Sequence, residues 1–196
     1  MADPLDVLTD LAHGGAPPRP GFAAAVRDRL AAIDRRAARR RAPGPARWHL
    51  AQLNLGRFRA PLDSPEMAPF AGALDRINAI ADASPGFVWR LTDDDGRPSS
   101  YVEVPGVDDP MVASNLSVWT DAESLRAFMY RTDHAAYLRR RAEWFAHVDE
   151  AMTVGWWIPA GTLPTLAEGV ERLEHLRRHG PTPRAFTLGR PSPPPG

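Results

Sequence analysis

The chain has 196 residues, a formal net charge of zero, no cysteine and, among its 24 basic residues, no lysine. The absence of cysteine excludes disulfides, a thiolate nucleophile and cysteine-ligated metal clusters, and the absence of lysine excludes Schiff-base catalysis, covalently bound pyridoxal phosphate and a P-loop lysine. Zero net charge argues against a nucleic-acid-binding domain. The sequence has no apolar run near the about 18 residues of a membrane span and no signal peptide at its acidic start, so we expect a cytoplasmic bacterial protein.

Residues 1–46 are predicted to be a helical, Arg-rich extension with Pro/Gly linkers. Apolar residues at helical spacing over residues 21–41 predict a helix that ends in RRAARRR. This arginine run is either a solvated helix end, where cations suit the helix dipole, or a surface for nucleic acid or an acidic partner.

A domain over residues 47–190 follows, and residues 191–196 are predicted to be a disordered tail. The first strand, WHLAQLN, alternates so that Leu50, Gln52 and Asn54 point to one side. Three further main strands are predicted from GFVWRLT, MVASNLSVWT and AMTVGWWIP. SSYVEV is expected to form a short hairpin with the second strand.

Helices are predicted between these strands. Apolar spacing predicts one helix over residues 67–81. Thr120 and Glu123 form a capping box for the next helix, which breaks near residue 132 and starts again. A second capping box, Thr165 with Glu168, begins the last helix, and Gly180 ends it.

The order strand–helix–strand–strand–helix–strand predicts an α+β fold, the ferredoxin-like split βαβ with a four-stranded antiparallel sheet. Its helices cover one face of the sheet. Trp156 and Trp157 point to opposite faces, so one of them is exposed in a monomer unless the tail or a partner covers it. A second subunit is the simplest cover, which predicts a homodimer in the form of a dimeric α/β barrel.

Several segments together resemble an uncharacterised bacterial family of domains of unknown function: WHLAQLNLGRFRAPLD, GFVWRL, NLSVW, YRTDH, WWIPAG and RLEHLRRHGPTPRAFT. That family is assigned to the dimeric α/β-barrel superfamily, alongside antibiotic-biosynthesis monooxygenases. The resemblance covers residues 47–188 and implies the same fold and dimerisation. It implies little about chemistry, because one fold hosts many functions.

The layout of related monooxygenases and heme-degrading enzymes implies a substrate between the helices and the sheet. Asn54 is then expected near the cavity, with Trp119, Tyr130 and His134 on the opposite wall. The heme-degrading enzymes use an Asn, a Trp and a helix His as a set. Here Phe128 and Leu138 fall where that Trp and His belong, which argues against the same mechanism.

His134 is the candidate for proton transfer, because an imidazole pKa lies close to neutral pH. It is either a general acid or base, or a capping or core histidine bonded to Asp133 or to backbone. Tyr130 either donates a hydrogen bond to a substrate oxygen or is an interface tyrosine. Asn54, with Tyr130, is expected to position a carbonyl or enolate oxygen.

Further candidates are expected to bind substrate. Gln52 shares the strand face of Asn54. Arg90 is predicted to lie on the opposite face from Phe87 and Trp89, as either a carboxylate clamp or an ion-pair partner. Three aromatic residues either line a pocket or pack in the core: Trp119, Phe128 and Trp144.

No metal site or cofactor is predicted. GxGxxG, GxSxG and HExxH are absent, and the acidic clusters at residues 93–95 and 108–109 are interpreted as turns. His175 and His179 are either a metal-binding pair or a surface pair near a helix end.

We therefore expect a protein that binds a small apolar or aromatic, polyketide-like metabolite. It is expected to act as a cofactor-independent oxygenase or as a cyclase or isomerase. One alternative is a heme-binding protein with His134 as the axial ligand. The other is a non-enzymatic module in which the barrel dimerises and residues 1–46 recruit a partner.

Overall fold

A four-stranded antiparallel sheet, not closed into a barrel, organises residues 47–196, the part of the chain that the computed structural model describes. The predictions for residues 1–46 lie outside the described residues. The four main strands are confirmed: β1 (Trp48–Arg57), β2 (Phe87–Arg90), β3 (Val112–Trp119) and β4 (Thr153–Pro159). Their order in the sheet is β2-β3-β1-β4.

Five α-helices connect or follow these strands: α1 (Ala68–Ala71), α2 (Leu74–Asp82), α3 (Ala122–Arg131), α4 (His134–Arg140) and α5 (Leu166–His179). The single helix predicted over residues 67–81 is thus two helices, and the chain between them tightens at Ala73, whose N–H donates to Phe70 O at 3.0 Å in a 3₁₀-type bond. None of the helices in the described part of the chain is long and apolar enough to cross a membrane.

Two of the predicted helix ends are confirmed and one is wrong. The Thr165 side chain caps α5 by accepting from Glu168 N at 3.1 Å, and Gly180 ends that helix with φ 71°. The N-cap of α3 is Asp121 rather than Thr120, since the Asp121 carboxylate accepts from Ser124 N at 2.8 Å. Both oxygen-bearing side chains suit an N-cap, and the structure selects the charged one.

The predicted SSYVEV strand is a 3₁₀ turn over Ser99–Tyr101, joined to the end of β2 by a single bridge between Thr92 and Pro98. Hydrogen bonds from side chains, rather than a ladder of backbone hydrogen bonds, hold this turn against β3. Ser99 Oγ donates to Ser114 O at 2.9 Å, and Ser114 Oγ donates to Ser99 O at 3.0 Å. These reciprocal bonds satisfy buried polar groups without a strand.

One face of the sheet is mainly apolar and carries these buried residues: Ala51, Leu53, Leu116, Val118, Val154 and Trp156. Helix α5 covers it through Leu166, Leu173 and Leu176. The helix lies so close that a Cβ on Gly169 would be 3.0 Å from Leu53 Cδ2. This face is therefore covered within the chain itself.

The segment after α5 returns to the sheet at the free edge of β4. Phe186 and Gly155 exchange two backbone hydrogen bonds, of 2.8 and 2.9 Å. Trp157 Nε1 donates to Ser192 O at 2.7 Å, and Trp156 is only 1% exposed. The exposed tryptophan that motivated a second subunit is absent from the described residues. The homodimer stays a prediction, and an exposed tryptophan is no longer a reason to expect it.

The other face of the sheet carries two apolar clusters, one at each end. The Trp119 cluster, around α3, contains Leu50, Phe87, Trp119, Leu125 and Phe128. The Trp144 cluster, at the opposite end, contains Phe58, Met67, Phe70, Ala113, Tyr137, Trp144 and Phe145. The part of the sheet between them is polar.

Candidate functional site

The polar strip is the set of polar side chains between the two clusters: Gln52, Asn54, Asn115, Ser117 and Thr153. Strand β1 pairs with β3 so that Gln52 lies opposite Ser117 and Asn54 opposite Asn115. It pairs with β4 so that Asn54 also lies opposite Thr153. Directly paired residues share a face of the sheet, so all five side chains point away from α5, to the face that carries α3 and is here called the helix-bearing face.

A buried hydrogen-bond network holds one half of the strip. Trp119 Nε1 donates to Ser117 Oγ at 3.0 Å, and Gln52 Nε2 donates to the same oxygen at 2.9 Å and to Asn115 Oδ1 at 3.2 Å. Gln52 and Ser117 are each 7% exposed. Because both lone pairs of the Ser117 hydroxyl accept a hydrogen bond, its own proton is left to donate to a further acceptor.

The other half of the strip is open to solvent. Thr153 Oγ1 donates to Asn54 Oδ1 at 2.8 Å, and both Asn54 and Asn115 are exposed. In each asparagine the amide oxygen accepts an internal hydrogen bond, which leaves the NH₂ group to face outward. The strip thus offers hydrogen-bond donors more than acceptors.

His134, the first residue of α4, belongs to an aromatic stack that leads to this network. Its ring centroid lies 4.7 Å from that of Phe128, and Phe128 stacks on Trp119 at 5.2 Å. Trp119 in turn donates to Ser117. The sequence-predicted residues His134, Phe128, Trp119 and Gln52 are therefore linked by one continuous set of contacts.

The environment of His134 favours a neutral imidazole. Its Nδ1 lies 3.3 Å from Met129 O, and since a carbonyl oxygen can only accept, Nδ1 carries the proton and Nε2 presents a lone pair. Burial lowers the pKa of His134 below its ordinary value, although the contact with Met129 O partly raises it. The sequence suggested either Asp133 or the backbone as the partner of His134, and the structure shows the backbone, at Met129 O. Asp133 pairs with Arg76 instead.

Tyr130 lies apart from this group. Its side chain is 62% exposed and lines a different cavity, of about 70 Å³, between α3, Leu50 and the C-terminal segment at Leu188 and Gly189. None of the polar-strip residues lines that cavity. A role for Tyr130 beside His134 stays a prediction that no contact supports.

Arg90 lies opposite Trp89, as predicted, but on the same helix-bearing face as Phe87, contrary to the prediction. A bulge between Phe87 and Trp89 shifts the register, so the two aromatic residues point to opposite faces and Arg90, paired with Ser117, shares the face of Phe87. Its Nε and Nη2 donate to the Asp82 carboxylate at 2.9 and 3.2 Å. Its Nη1 is buried and has no hydrogen-bond partner among the described residues.

Trp144 is not part of the same aromatic group as Trp119 and Phe128. It is 3% exposed and packs in the other cluster, with ring centroids 5.6 Å from Phe70 and 6.0 Å from Tyr137. Core packing accounts for its position.

Asn115, Ser117 and Thr153 were not predicted from the sequence. The signal was present in NLSVW, where Asn115, Ser117 and Trp119 alternate and so share one face of a strand. What was missing was the register that places them opposite Asn54 and Gln52.

The described residues include no group of three or more His, Asp or Glu side chains that could hold a metal ion. The His175 and His179 rings lie 4.6 Å apart, and His175 Nε2 lies 3.1 Å from Thr182 Oγ1. Heme ligation by His134 stays a prediction. The cavity of about 70 Å³ beside α3 is too small for a heme, since pockets for ligands of drug size are about 300–1,000 Å³.

Comparison with known proteins gives a family and no individual relative. Neither a curated protein nor a solved structure shows significant similarity to the chain. Residues 49–196 match a family described as a domain of unknown function, DUF3291. Because this match covers most of its length, the chain belongs to the DUF3291 family.

Proposed function

We propose that this protein binds a small aromatic or polyketide-like molecule on the helix-bearing face of the sheet, and that His134 transfers a proton to or from it. The observation that carries the proposal is a neutral His134 joined, through Phe128 and Trp119, to a buried network of outward-facing hydrogen-bond donors. Proton abstraction beside a carbonyl requires a base and hydrogen-bond donors that reach the same substrate.

The aromatic stack supports a flat, apolar ligand body. Trp119 is fixed by its indole N–H bond to Ser117, and Phe128 stacks on it. Aromatic pairs favour offset stacking and edge contacts, which are the contacts that a flat aromatic ligand would make with these rings.

The chemistry follows from the free atoms. His134 Nε2 accepts a proton from a carbon beside a substrate carbonyl, and the electron pair moves onto the carbonyl oxygen. The Ser117 hydroxyl and the amide groups of Asn54 and Asn115 hold that enolate oxygen. Return of the proton to another carbon completes an isomerisation, whereas attack of the enolate carbon on a second carbonyl of the substrate, with the proton returned to the new alkoxide, completes a cyclisation. If the enolate carbon instead reacts with O₂ as co-substrate, it forms a hydroperoxide that takes up the proton. Loss of water from this hydroperoxide, with the second hydrogen of the same carbon, leaves a carbonyl group, and the protein is then a cofactor-independent oxygenase.

The test is turnover of a panel of anthrones, hydroquinones and β-dicarbonyl aromatics, followed by oxygen uptake and by absorbance. His134→Ala is expected to lower the rate about 100-fold or more, the usual contribution of a positioned base. His147→Ala is the matched control, because the His147 side chain is 89% exposed. Equal rates for wild type and His134→Ala with a confirmed substrate would remove His134 from the mechanism.

The pH dependence adds a second readout. The base must be unprotonated, and burial lowers the pKa of His134. The rate is therefore expected to rise with pH and to level off below the ordinary histidine pKa of about 6.5. A profile that still rises steeply at pH 8 would point to another base.

We also propose that the domain is ferredoxin-like. The strand order β2-β3-β1-β4 supports this, together with helices in both of the longer connections. The split βαβ arrangement has this alternation. A dimeric barrel formed through the apolar face requires α5 to leave it, so a dimer that retains α5 must use another surface. A cytoplasmic location is part of the same proposal.

A further inference from the structure

Arg90 and the polar strip together define a more specific ligand. The guanidinium group of Arg90 has two edges. The edge formed by Nε and Nη2 is bound by the Asp82 carboxylate. Nη1 lies on the other side of the group, is buried and has no hydrogen-bond partner among the residues that the structure describes.

The neighbour of Arg90 across the sheet is Ser117, since the two residues are paired between β2 and β3. Ser117 Oγ accepts from Trp119 and Gln52 and has only its proton left to donate. A buried Arg N–H without an acceptor is unfavourable, and the strand pairing places Arg90 on the same face of the sheet as Ser117, which has a proton to donate.

The surrounding charges do not satisfy these donors. All five side chains of the polar strip are neutral. Of the nearby acidic residues, Asp82 is occupied by the other edge of Arg90, and Asp133 pairs with Arg76. The imidazole of His134 is uncharged near neutral pH because burial lowers its pKa. An anionic oxygen thus has donors available, and the carboxylates of Asp82 and Asp133 are each already paired with an arginine.

We propose that the ligand is an aromatic carboxylic acid, with its carboxylate bound by Arg90 and Ser117 and its ring against the stack of Trp119 and Phe128. This inference rests on the proposed function, because it uses the same face of the sheet. It adds the charge that the ligand carries. Arginine and a hydroxyl are the donors best suited to a carboxylate, since guanidinium–carboxylate bonds are charge-assisted.

The experiment measures binding of 2-naphthoate and of the neutral 2-naphthamide to the full chain by NMR, following the indole N–H of Trp119. Naphthoate is expected to bind about tenfold more tightly, the effect of one charge-assisted hydrogen bond pair over a neutral one. In Arg90→Gln the two dissociation constants should agree within about twofold, because the charge that separates them is gone. Arg97→Gln is the matched control, since Arg97 is paired with Asp93 in an exposed turn, and it should keep the wild-type preference.

A second variant keeps the test valid if Arg90→Gln does not fold. Asp82→Asn removes the competing carboxylate and leaves Arg90 in place, so naphthoate is expected to bind several-fold more tightly while naphthamide is unchanged. Equal binding of the acid and the amide by wild type would overturn the proposal that the ligand carries a carboxylate, and it would leave the proposed function unaffected. Retention of the preference in Arg90→Gln would likewise overturn it. If neither probe shifts the Trp119 indole, both the inference and the proposed site fail.

Discussion

Truncation of Leu173 to alanine removes the side chain through which the middle of α5 packs on the sheet. Leu173 is 1% exposed, and substitutions of this kind in a core cost about 2–5 kcal/mol. The helix cannot move in to fill the space, because Gly169 already brings it into contact with Leu53. We therefore expect a loss of about 3–4 kcal/mol, which for a domain of this size lowers Tm by roughly 6–16 °C.

Thermal unfolding of the full chain at two protein concentrations tenfold apart measures this. Leu163→Ala is the matched control: it is the same chemical change just before α5, at a side chain that is 56% exposed, and should change stability by less than about 0.5 kcal/mol. If Leu173→Ala behaved like this control, α5 would not cover the sheet. A Tm that rose with protein concentration would show that the chain self-associates.

Three more predictions concern the edge, the network and the histidine. Gly155→Ala places a Cβ 2.9 Å from Phe186 Cε2, so it should destabilise the fold by about 1–3 kcal/mol and speed proteolysis of the C-terminal segment. Gly189→Ala, where nothing lies near the added Cβ, should change neither the stability nor the rate of proteolysis. Ser117→Ala leaves the indole N–H of Trp119 without its acceptor and should cost about 1–3 kcal/mol in urea unfolding, whereas a neutral effect would mean that the network is not buried. The pKa of His134 is lower in the folded chain than in the unfolded one, so the unfolded chain gains a proton first as the pH falls. The free energy of unfolding should therefore decrease as the pH drops from about 6.5 through the lowered pKa. An unchanged pH dependence in His134→Gln would contradict the burial of this ring.

The strands and their faces could be predicted because alternation is a local property. Leu50, Gln52 and Asn54 point to one side simply because side chains in a strand alternate, and the structure confirms it. The pairing of β1 with β3 is not local. A shift of one residue in that register would turn Ser117 and Asn115 to the opposite face, so the polar strip could not be recognised from either strand alone.

Arg90 shows how a single irregularity changes a site. Strict alternation from Phe87 places it on the opposite face from both aromatic residues of β2. The bulge between Phe87 and Trp89 adds one residue and reverses the order beyond it. Nothing in FVWR distinguishes a bulged strand from a regular one, because a bulge depends on how the partner strand pairs.

The role of α5 was missed for a similar reason. Its apolar stripe and both of its ends follow from spacing and capping. The face of the sheet on which that stripe packs depends on the path of the chain after β4. The resemblance to dimeric barrels suggested a partner there, and Leu166, Leu173 and Leu176 of the same chain occupy the position instead.

The central claim is that the polar strip, joined to His134 through Trp119 and Phe128, is the ligand site of this domain. NMR screening of a library of small aromatic compounds against the full chain tests it most directly. The account predicts that compounds which bind shift the indole N–H of Trp119 and the side-chain amide signals of Gln52 and Asn115, and leave the indole of Trp144 unchanged. Binding that shifted Trp144 and left Trp119 and Gln52 unaffected would contradict it.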